Sequence, residues 1–368
     1  MKKLCLMLML VSFTGMTIFA QSNLEIARTG KAEIKISLNA YSFTKPLLDY
    51  AKGRGGGQNG MSLYQFMDWA AEHGFDAVDL TAYFFPGYPE VPSDEFINSL
   101  KKYAFQLGLD ISGTGVRNNF ADPDPAKRAA DVKHVKEFID VAVKLGAPVI
   151  RVFSGPIPAG YENKWDEIAQ YMAASLKECA DYGKLRGVLV GVQNHGDFLK
   201  TADETIKLVK MVNSDWFGVI NDTGYFITED PYVDIEKIIP YTVNFQLKES
   251  VFGAASPIKI DLKRIMEIVQ RTGYRGYMPI ETLSPLGGNK KKKAMADATS
   301  VVKSGKSGEK SGGKSKSGDA VKSATKSTVN AGSSSTELKS ERPGYDPFTV
   351  VPPFMKKVKA AQKEAFGN

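Results

Sequence analysis

Polar side chains that can bind a metal or move a proton follow four successive apolar runs in the second half of the chain. They are Gln193 to His195, then Asp222, then Gln246 to Lys248, and finally Glu281. Residues two apart on a strand point to the same face, so Gln193 is expected beside His195, and Gln246 beside Lys248. Two carboxylates in one partly dry pocket repel each other unless a cation lies between them, and a divalent metal is the usual cation. The residues therefore predict a metal-assisted acid–base site.

Such a site needs a scaffold that brings consecutive strand ends together. From about Glu33 the chain alternates between short β-rich runs and longer helical patterns, several of which end in a glycine such as Gly146 or Gly183. This alternation implies parallel strands, and eight units over about 250–300 residues favour a (β/α)8 TIM barrel. No glycine-rich dinucleotide fingerprint follows any strand, which weakens the Rossmann alternative. The predicted strands are Ile34–Leu38, Ala77–Leu80, Asp110–Thr114, Val149–Phe153, Val188–Val192, Phe217–Asn221, Thr242–Leu247 and Tyr277–Ile280.

Two segments are not expected to be part of the barrel, which is predicted as a single domain over residues 33–366. Residues 1–20 have a basic start, a short apolar centre and a small final residue, the pattern of a secretory signal peptide. Cys5 lies too early in the apolar run to be lipid-modified, so no stable membrane anchor is expected. Residues 287–343 form a Lys/Ser/Gly-rich insertion in the eighth βα loop, predicted to be disordered because it has too few apolar residues to offset its ordering entropy. A final helix, Phe354–Phe366, is predicted to close the barrel.

The composition, with 43% hydrophobic and 24% charged residues, fits a globular protein with a sizeable core. Much of the net charge of +7 comes from the insertion, where Lys290 to Arg342 hold 13 basic and 5 acidic residues. The insertion is either a tether to polyanions or a solvated loop, and the weakly acidic body predicts no nucleic-acid groove. Without residues 1–20, Cys179 is the only cysteine, so no internal disulfide holds this exported protein, which would be periplasmic in a Gram-negative source.

Four stretches, VGVQNHGDF, INDTGYF, FQLKE and YMPIETL, make the chain resemble the xylose isomerase-like superfamily of TIM barrels. This superfamily includes sugar phosphate isomerases and epimerases, inosose dehydratases, keto-glycoside lyases or hydratases and type 2 apurinic endonucleases. The resemblance covers residues 34–283 and the final helix. It implies one metal ligand from each of strands five to eight, typically Glu, Asp, His and Glu. Matched by motif, these positions are Gln193, Asp222, Gln246 and Glu281.

Two of these four positions depart from the usual pattern. An amide adds no charge, so Gln193 and Gln246 predict a weaker Mn²⁺, Mg²⁺ or Co²⁺ site rather than a zinc site, or else amides that bind substrate hydroxyls. An amide at position 193 also cannot take up a proton, which argues against epimerisation by two opposing bases. A single-base reaction at a metal-polarised carbonyl is left, with His195, Lys248 or Glu281 as proton carrier. Alternatively, Lys248 only forms an ion pair with an acidic neighbour and has no catalytic role.

The first half of the chain supplies the walls of the expected pocket. Aromatic faces with scattered amides suit a sugar ring, which is apolar above and below and polar at its rim. An exported enzyme seldom meets sugar phosphates, so an unphosphorylated carbohydrate is favoured even though two arginines are present. The predicted substrate-binding residues are Tyr41, Asp79, Tyr83, Arg117, Arg151 and Asn194, and Asn39 is expected as a further wall residue.

Together these observations predict an exported, metal-dependent sugar isomerase/epimerase-like enzyme that abstracts a proton next to a carbonyl. The missing glutamate favours elimination or hydration of a keto-sugar over isomerisation. A nuclease would need a richer cluster of metal ligands than 3 histidines supply. A non-catalytic sugar-binding barrel is the stronger rival, and it predicts sugar binding without a metal and without proton exchange.

Overall fold

The computed structural model describes residues 24–53, 60–195, 198–251, 258–282 and 345–367. In these ranges the predicted TIM barrel is confirmed, because eight parallel strands close in sequence order and β1 pairs with β8. Each predicted strand matches an observed one, with ends that differ by a few residues. The strands are β1 (Glu33–Asn39), β2 (Ala77–Asp79), β3 (Asp110–Gly115), β4 (Val149–Phe153), β5 (Leu189–Gln193), β6 (Phe217–Asp222), β7 (Thr242–Lys248) and β8 (Arg275–Glu281).

Helices alternate with these strands and pack around the barrel. Two of them begin with a capping box, in which Ser62 pairs with Gln65 and Thr201 with Glu204. Each box satisfies backbone N–H groups that the first helical turn leaves without partners. The described helices are α1 (Thr44–Ala51), α2 (Leu63–Glu72), α3 (Asp94–Gln106), α4 (Pro125–Leu145), α5 (Trp165–Arg186), α6 (Ala202–Val212), α7 (Pro231–Lys237), α8 (Leu262–Thr272) and α9 (Pro347–Phe366).

Two predicted helix boundaries are wrong. Helix α5 continues past Gly183 and ends before Gly187, which has the left-handed φ of 73°. Gly183 serves a different purpose, because a Cβ there would lie 2.4 Å from the carbonyl oxygen of Val188. Helix α9 begins at Pro347 rather than at Phe354, since the side chain of Asp346 accepts a hydrogen bond from the N–H of Phe348.

Two predictions lie outside the described residues. They are the signal peptide at residues 1–20 and the disordered insertion at residues 287–343. In the described ranges, none of the helices combines the length and apolarity needed to cross a bilayer.

Strand register sets the predicted site residues of β6, β7 and β8 beside one another in pairs. Asp222 on β6 is level with Gln246 on β7, and Lys248 on β7 is level with Glu281 on β8. These pairs stand at the carboxyl ends of the strands, the end at which TIM barrels carry their active sites. The apolar core lies mainly between strands and helices, and its fully buried members include Phe245 of β7. The barrel wall therefore fixes the spacing of the site residues.

Close strand packing behind the site depends on Gly218 of β6. A Cβ there would lie 2.4 Å from Cγ1 of Val243 and 2.8 Å from the carbonyl oxygen of Tyr241. We therefore expect Gly218→Ala to lower the free energy of unfolding by about 1–3 kcal/mol, because backbone cannot move aside as a side chain can. Denaturant unfolding measures this, with Val233→Ala as control, since Val233 is 59% exposed. Equal unfolding midpoints in the two variants would contradict the packing argument.

Candidate active site

Three buried ionic groups meet at the carboxyl ends of β6, β7 and β8, and we call them the charge triad. The Lys248 ammonium donates a hydrogen bond to Oε1 of Glu281 and lies 3.4 Å from Oδ2 of Asp222. The side chains of Asp222, Lys248 and Glu281 are 0%, 5% and 5% exposed. Burial alone would lower the pKa of Lys248, but the two carboxylates outweigh burial and raise it. The triad therefore holds a permanent internal cation between its two carboxylates.

A chain of amides, which we call the amide relay, fixes the orientation of Gln246. The backbone N–H of Tyr41 donates to Oδ1 of Asn39 at 2.7 Å, so the amino group of Asn39 is left as a donor. That group donates to Oε1 of Gln246 at 3.1 Å. The amino group of Gln246 then donates to Oε2 of Glu281. Because a backbone N–H can only donate, every later amide in the relay is oriented by it.

Asp222 is held on both its backbone and its side chain. Oδ1 of Asn194 accepts from the Asp222 N–H at 2.7 Å, while the amino group of Asn194 donates to the Asp222 carbonyl at 2.9 Å. Its carboxylate accepts from the amino group of Gln193 and from the N–H of Gly224. Burial raises the pKa of Asp222 to about 6, while Lys248 opposes this and Glu281 adds to it. The amide of Asn194, predicted to bind substrate, is thus used at both ends to position Asp222.

His195 lies beside the charge triad without bonding to it. Its ring is 4.0 Å from the Tyr225 ring and 5.2 Å from the Phe153 ring, measured between centroids. Lys248 also lies over Tyr225, with its Nζ 5.5 Å from the ring centroid. Burial, with smaller effects of Lys248 and Arg151, lowers the pKa of His195 to about 3. The imidazole is therefore neutral near pH 7, and it is a poor proton acceptor there.

A second group of polar residues lines the opposite wall, on the ends of β1 to β4. The Arg151 guanidinium donates to the Tyr83 hydroxyl at 2.7 Å and lies over the Phe153 ring at 4.4 Å. Arg117 covers the Tyr83 ring at 4.8 Å, and Tyr41 meets that ring edge to face. Among the described residues, Nη1 of Arg151 is a buried donor with no hydrogen-bond partner. An oxygen-rich ligand would satisfy that donor.

Asp79 lies at the end of β2, near this arginine. Burial raises its pKa to about 6, and Arg151 and the hydroxyl of Thr81 only partly oppose the rise. Thr81 donates to Oδ1 of Asp79 at 3.3 Å. Tyr41, Tyr83, Arg117 and Arg151 therefore form one group of contacting side chains at the carboxyl ends of β1 to β4, with Asp79 beside Arg151.

The fold brings together most of the site residues that were predicted from the sequence. Strand-end position alone placed Gln193, Asp222, Gln246, Lys248 and Glu281 in one buried network. It missed two supporting residues. The hydroxyl of Thr223 accepts the Lys248 N–H at 3.0 Å, and Tyr225 lies under the ammonium. Both belong to the INDTGYF stretch that spans the end of β6, and a search extended to three residues past the strand would have included them.

The donors of the site are already engaged in a way that a divalent metal, predicted from the sequence, would have to disrupt. Both carboxylates already have cationic or N–H partners on each of their oxygens. Gln246 presents its amino group to the site, because Asn39 occupies its oxygen. Hard divalent ions require several free oxygen ligands and are repelled by a neighbouring ammonium. This arrangement does not fit a resident divalent ion, and metal dependence stays a prediction of the sequence.

The closed barrel and the ionic cluster in its mouth define a TIM-barrel protein with a candidate enzyme site. The chain belongs to the xylose isomerase-like TIM barrel family, whose model matches residues 67–304. The resemblance seen in the sequence is thereby confirmed. No protein of curated function matches the chain.

Solved structures that resemble the chain include several sugar epimerases. A D-psicose 3-epimerase determined in the presence of D-fructose is 17% identical, with a TM-score of 0.57 over 74% of this chain and 96% of its own. The D-psicose 3-epimerase of Clostridium cellulolyticum H10, determined with D-tagatose, is 20% identical, with a TM-score of 0.56 over 73% and 97%. The 3-keto-D-glucoside 4-epimerase of E. coli is 11% identical, with a TM-score of 0.52 over 73% and 100%. At these identities the likeness shows a shared fold.

Removing the amide that holds Asp222 provides a test of the site's construction. We expect Asn194→Ala to lower the free energy of unfolding by about 1–3 kcal/mol, because the buried N–H and C=O of Asp222 lose their partners. Denaturant unfolding measures the change. The control is Gln270→Ala, which removes an exposed amide that donates to the Ala365 carbonyl at 2.9 Å. A loss in the control as large as that in Asn194→Ala would contradict the assignment.

The raised pKa of Asp79 predicts a pH dependence of stability. The pKa of Asp79 is 3.8 in the unfolded chain and about 6 in the folded protein, so between these pH values only the folded state keeps the proton. The stability that comes from this proton is present at pH 4 and is lost by pH 7. Asp79→Asn should therefore gain stability relative to the parent over this window, by on the order of 2 kcal/mol. Unfolding measured at pH 4, 5, 6 and 7 gives the difference at each pH. A difference that is constant with pH would refute the assignment.

Proposed function

We propose that the chain is a sugar isomerase/epimerase-like enzyme that abstracts a proton next to the carbonyl of an unphosphorylated carbohydrate. The observation that carries the proposal is the charge triad, buried in the mouth of the barrel. Burying three ionic groups costs free energy that an apolar cluster of the same volume would not. Buried ionisable groups with perturbed pKa values in a barrel mouth are typical of acid–base sites. Family membership supports the same class of chemistry.

The triad and its neighbours divide the roles in this reaction. Lys248 is held as an ammonium and His195 as a weakly basic neutral ring, so neither readily accepts a proton near pH 7. Glu281 is therefore the proposed base. The C–H bond next to the carbonyl breaks, its proton passes to the Glu281 carboxylate, and its electron pair forms an enediolate. Glu281 gives the proton to the former carbonyl carbon while the neighbouring hydroxyl passes its proton to the enediolate oxygen, which yields the isomer. In elimination, a hydroxyl or glycosidic oxygen on the next carbon leaves with its electron pair and takes the proton from Glu281.

The opposite wall supplies the contacts that a carbohydrate needs. Nη1 of Arg151, which has no partner among the described residues, is a donor for a sugar oxygen, and the half-buried Tyr41 ring adds an apolar contact. We propose that the substrate lies between this wall and the charge triad. The enzyme is further proposed to be exported, on the strength of residues 1–20, and so to act on unphosphorylated carbohydrates outside the cytoplasm.

Proton exchange from keto-sugars tests this function. The protein is incubated in deuterated buffer with D-fructose, D-psicose, D-tagatose and a 3-keto-glucoside, and deuterium on carbon is read by NMR and mass spectrometry. We expect incorporation into at least one sugar, and a decrease of about 10²–10⁴-fold in Glu281→Gln because the base is removed.

The matched control is Glu249→Gln, which removes a carboxylate that pairs with the exposed Lys259 at 2.8 Å instead of with the triad. Its exchange rate should equal that of the parent. Sugar binding by calorimetry without any exchange would replace the proposal with the non-catalytic sugar-binding barrel.

A further inference from the structure

The position of Lys248 shows that the site is already supplied with a cation. Its Nζ touches Glu281 and lies within ion-pair distance of Asp222, which are the two carboxylates that a metal would otherwise bridge. The two carboxylates carry a formal charge of −2, and with the Lys248 ammonium the triad carries −1. A divalent ion placed at the same point would have to displace the ammonium or share the space with it.

Lys248 is placed by the structure around it and does not reach the site as a flexible surface side chain would. Its backbone N–H donates to the hydroxyl of Thr223 at 3.0 Å. Its stem runs over Gly224, where a Cβ would lie 2.6 Å from Cγ of Lys248 and 3.1 Å from the carbonyl oxygen of Ser250. Parallel register with β8 sets it level with Glu281. Any side chain at position 224 would push the lysine stem out of this position.

The amide relay prevents Gln246 from acting as a metal ligand while the relay is intact. To offer its oxygen to an ion, Gln246 would have to release the amino group of Asn39 and turn its own amino group away from Glu281. That would leave a buried donor on Asn39 and would remove a hydrogen bond from Glu281, and each such loss costs free energy. The relay thus favours a site built around an ammonium.

From these three observations, we propose that the Lys248 ammonium is the resident cation of the site and polarises the substrate carbonyl without a divalent metal. The inference rests on the proposed function for its chemistry. An ammonium has three N–H donors. Glu281 and Asp222 are its oxygen partners among the described residues, so a third donor serves the carbonyl oxygen. As the proton leaves carbon for Glu281, the charge that develops on this oxygen is stabilised by Lys248, and no electron carrier or metal is required.

Metal content tests the identity of the cation separately from the reaction. The purified full chain is equilibrated with Mn²⁺, Mg²⁺, Co²⁺ or Zn²⁺ in turn, desalted and analysed for bound metal, and Mn²⁺ is titrated by electron paramagnetic resonance. We expect the parent to retain no stoichiometric metal. Lys248→Gln should gain near-stoichiometric Mn²⁺, because the two carboxylates lose their internal cation. Near-stoichiometric metal in the parent, lost in Asp222→Ala and Glu281→Ala, would overturn the proposal.

A matched control separates this effect from a change in net charge. Lys259→Gln removes an exposed lysine that pairs with Glu249, and it should bind no more Mn²⁺ than the parent. Circular dichroism and thermal unfolding, with and without Mn²⁺, show whether Lys248→Gln folds. If it folds only with Mn²⁺, the metal has taken the place of the lysine, as proposed. If it folds without Mn²⁺ and binds none, the proposal fails.

Exchange in the presence of a chelator tests the catalytic part. Deuterium incorporation by the parent should be the same in EDTA as in Mn²⁺, and Lys248→Gln should lose it in EDTA. Exchange by the parent that requires added metal would overturn the proposal while leaving the proposed function standing. No exchange from any keto-sugar would defeat the proposed function and the polarising role together, and the metal analysis would still decide which cation resides in the site.

Discussion

The ion pairs between Lys248 and the carboxylates of Asp222 and Glu281 are the interaction on which the rest of the site depends. All three groups are almost fully buried, so each is costly unless the others are present. The surrounding residues serve mainly to hold these three in place. Asn194 clamps the backbone of Asp222, Thr223 holds the backbone of Lys248, and Gln246 caps the free oxygen of Glu281.

The barrel makes this concentration of charge possible. Three consecutive parallel strands each deliver one charged group near their carboxyl ends, and the spacing of these strand ends is fixed by backbone hydrogen bonds rather than by the side chains. Apolar packing between the strands and helices offsets the free-energy cost of burying these charges. The result is a polar mouth with two unlike walls, an ionic one on β6 to β8 and an aromatic, arginine-containing one on β1 to β4. The proposed substrate, a carbohydrate with a carbonyl at one edge, would match that asymmetry.

The fold was predictable because alternation of strand and helix is a local signal repeated along the chain. The same rule located Asp222, Lys248 and Glu281, since polar residues that end strands of a parallel barrel must converge. The strand-end rule could not predict whether Gln246 turns its amide oxygen or its amino group towards Glu281. That orientation is determined by Asn39, 207 residues earlier in the chain, and by a backbone N–H on Tyr41. The start of α9 was missed for a similar reason, because the cap at Asp346 outweighs the two prolines inside the helix.

The amide relay also constrains how this site can change over evolutionary time. Histidine at position 246 would remove the oxygen that accepts from Asn39, and losing Lys248 would leave two carboxylates facing each other. Either substitution made first passes through a protein with a buried unpaired group, and such intermediates are destabilised. A change from the ammonium-centred site to a metal site that also uses position 246 as a ligand therefore requires coordinated change at positions 39, 246 and 248. Replacing Asn39, Gln246 or Lys248 one at a time should therefore destabilise the protein more than replacing them together.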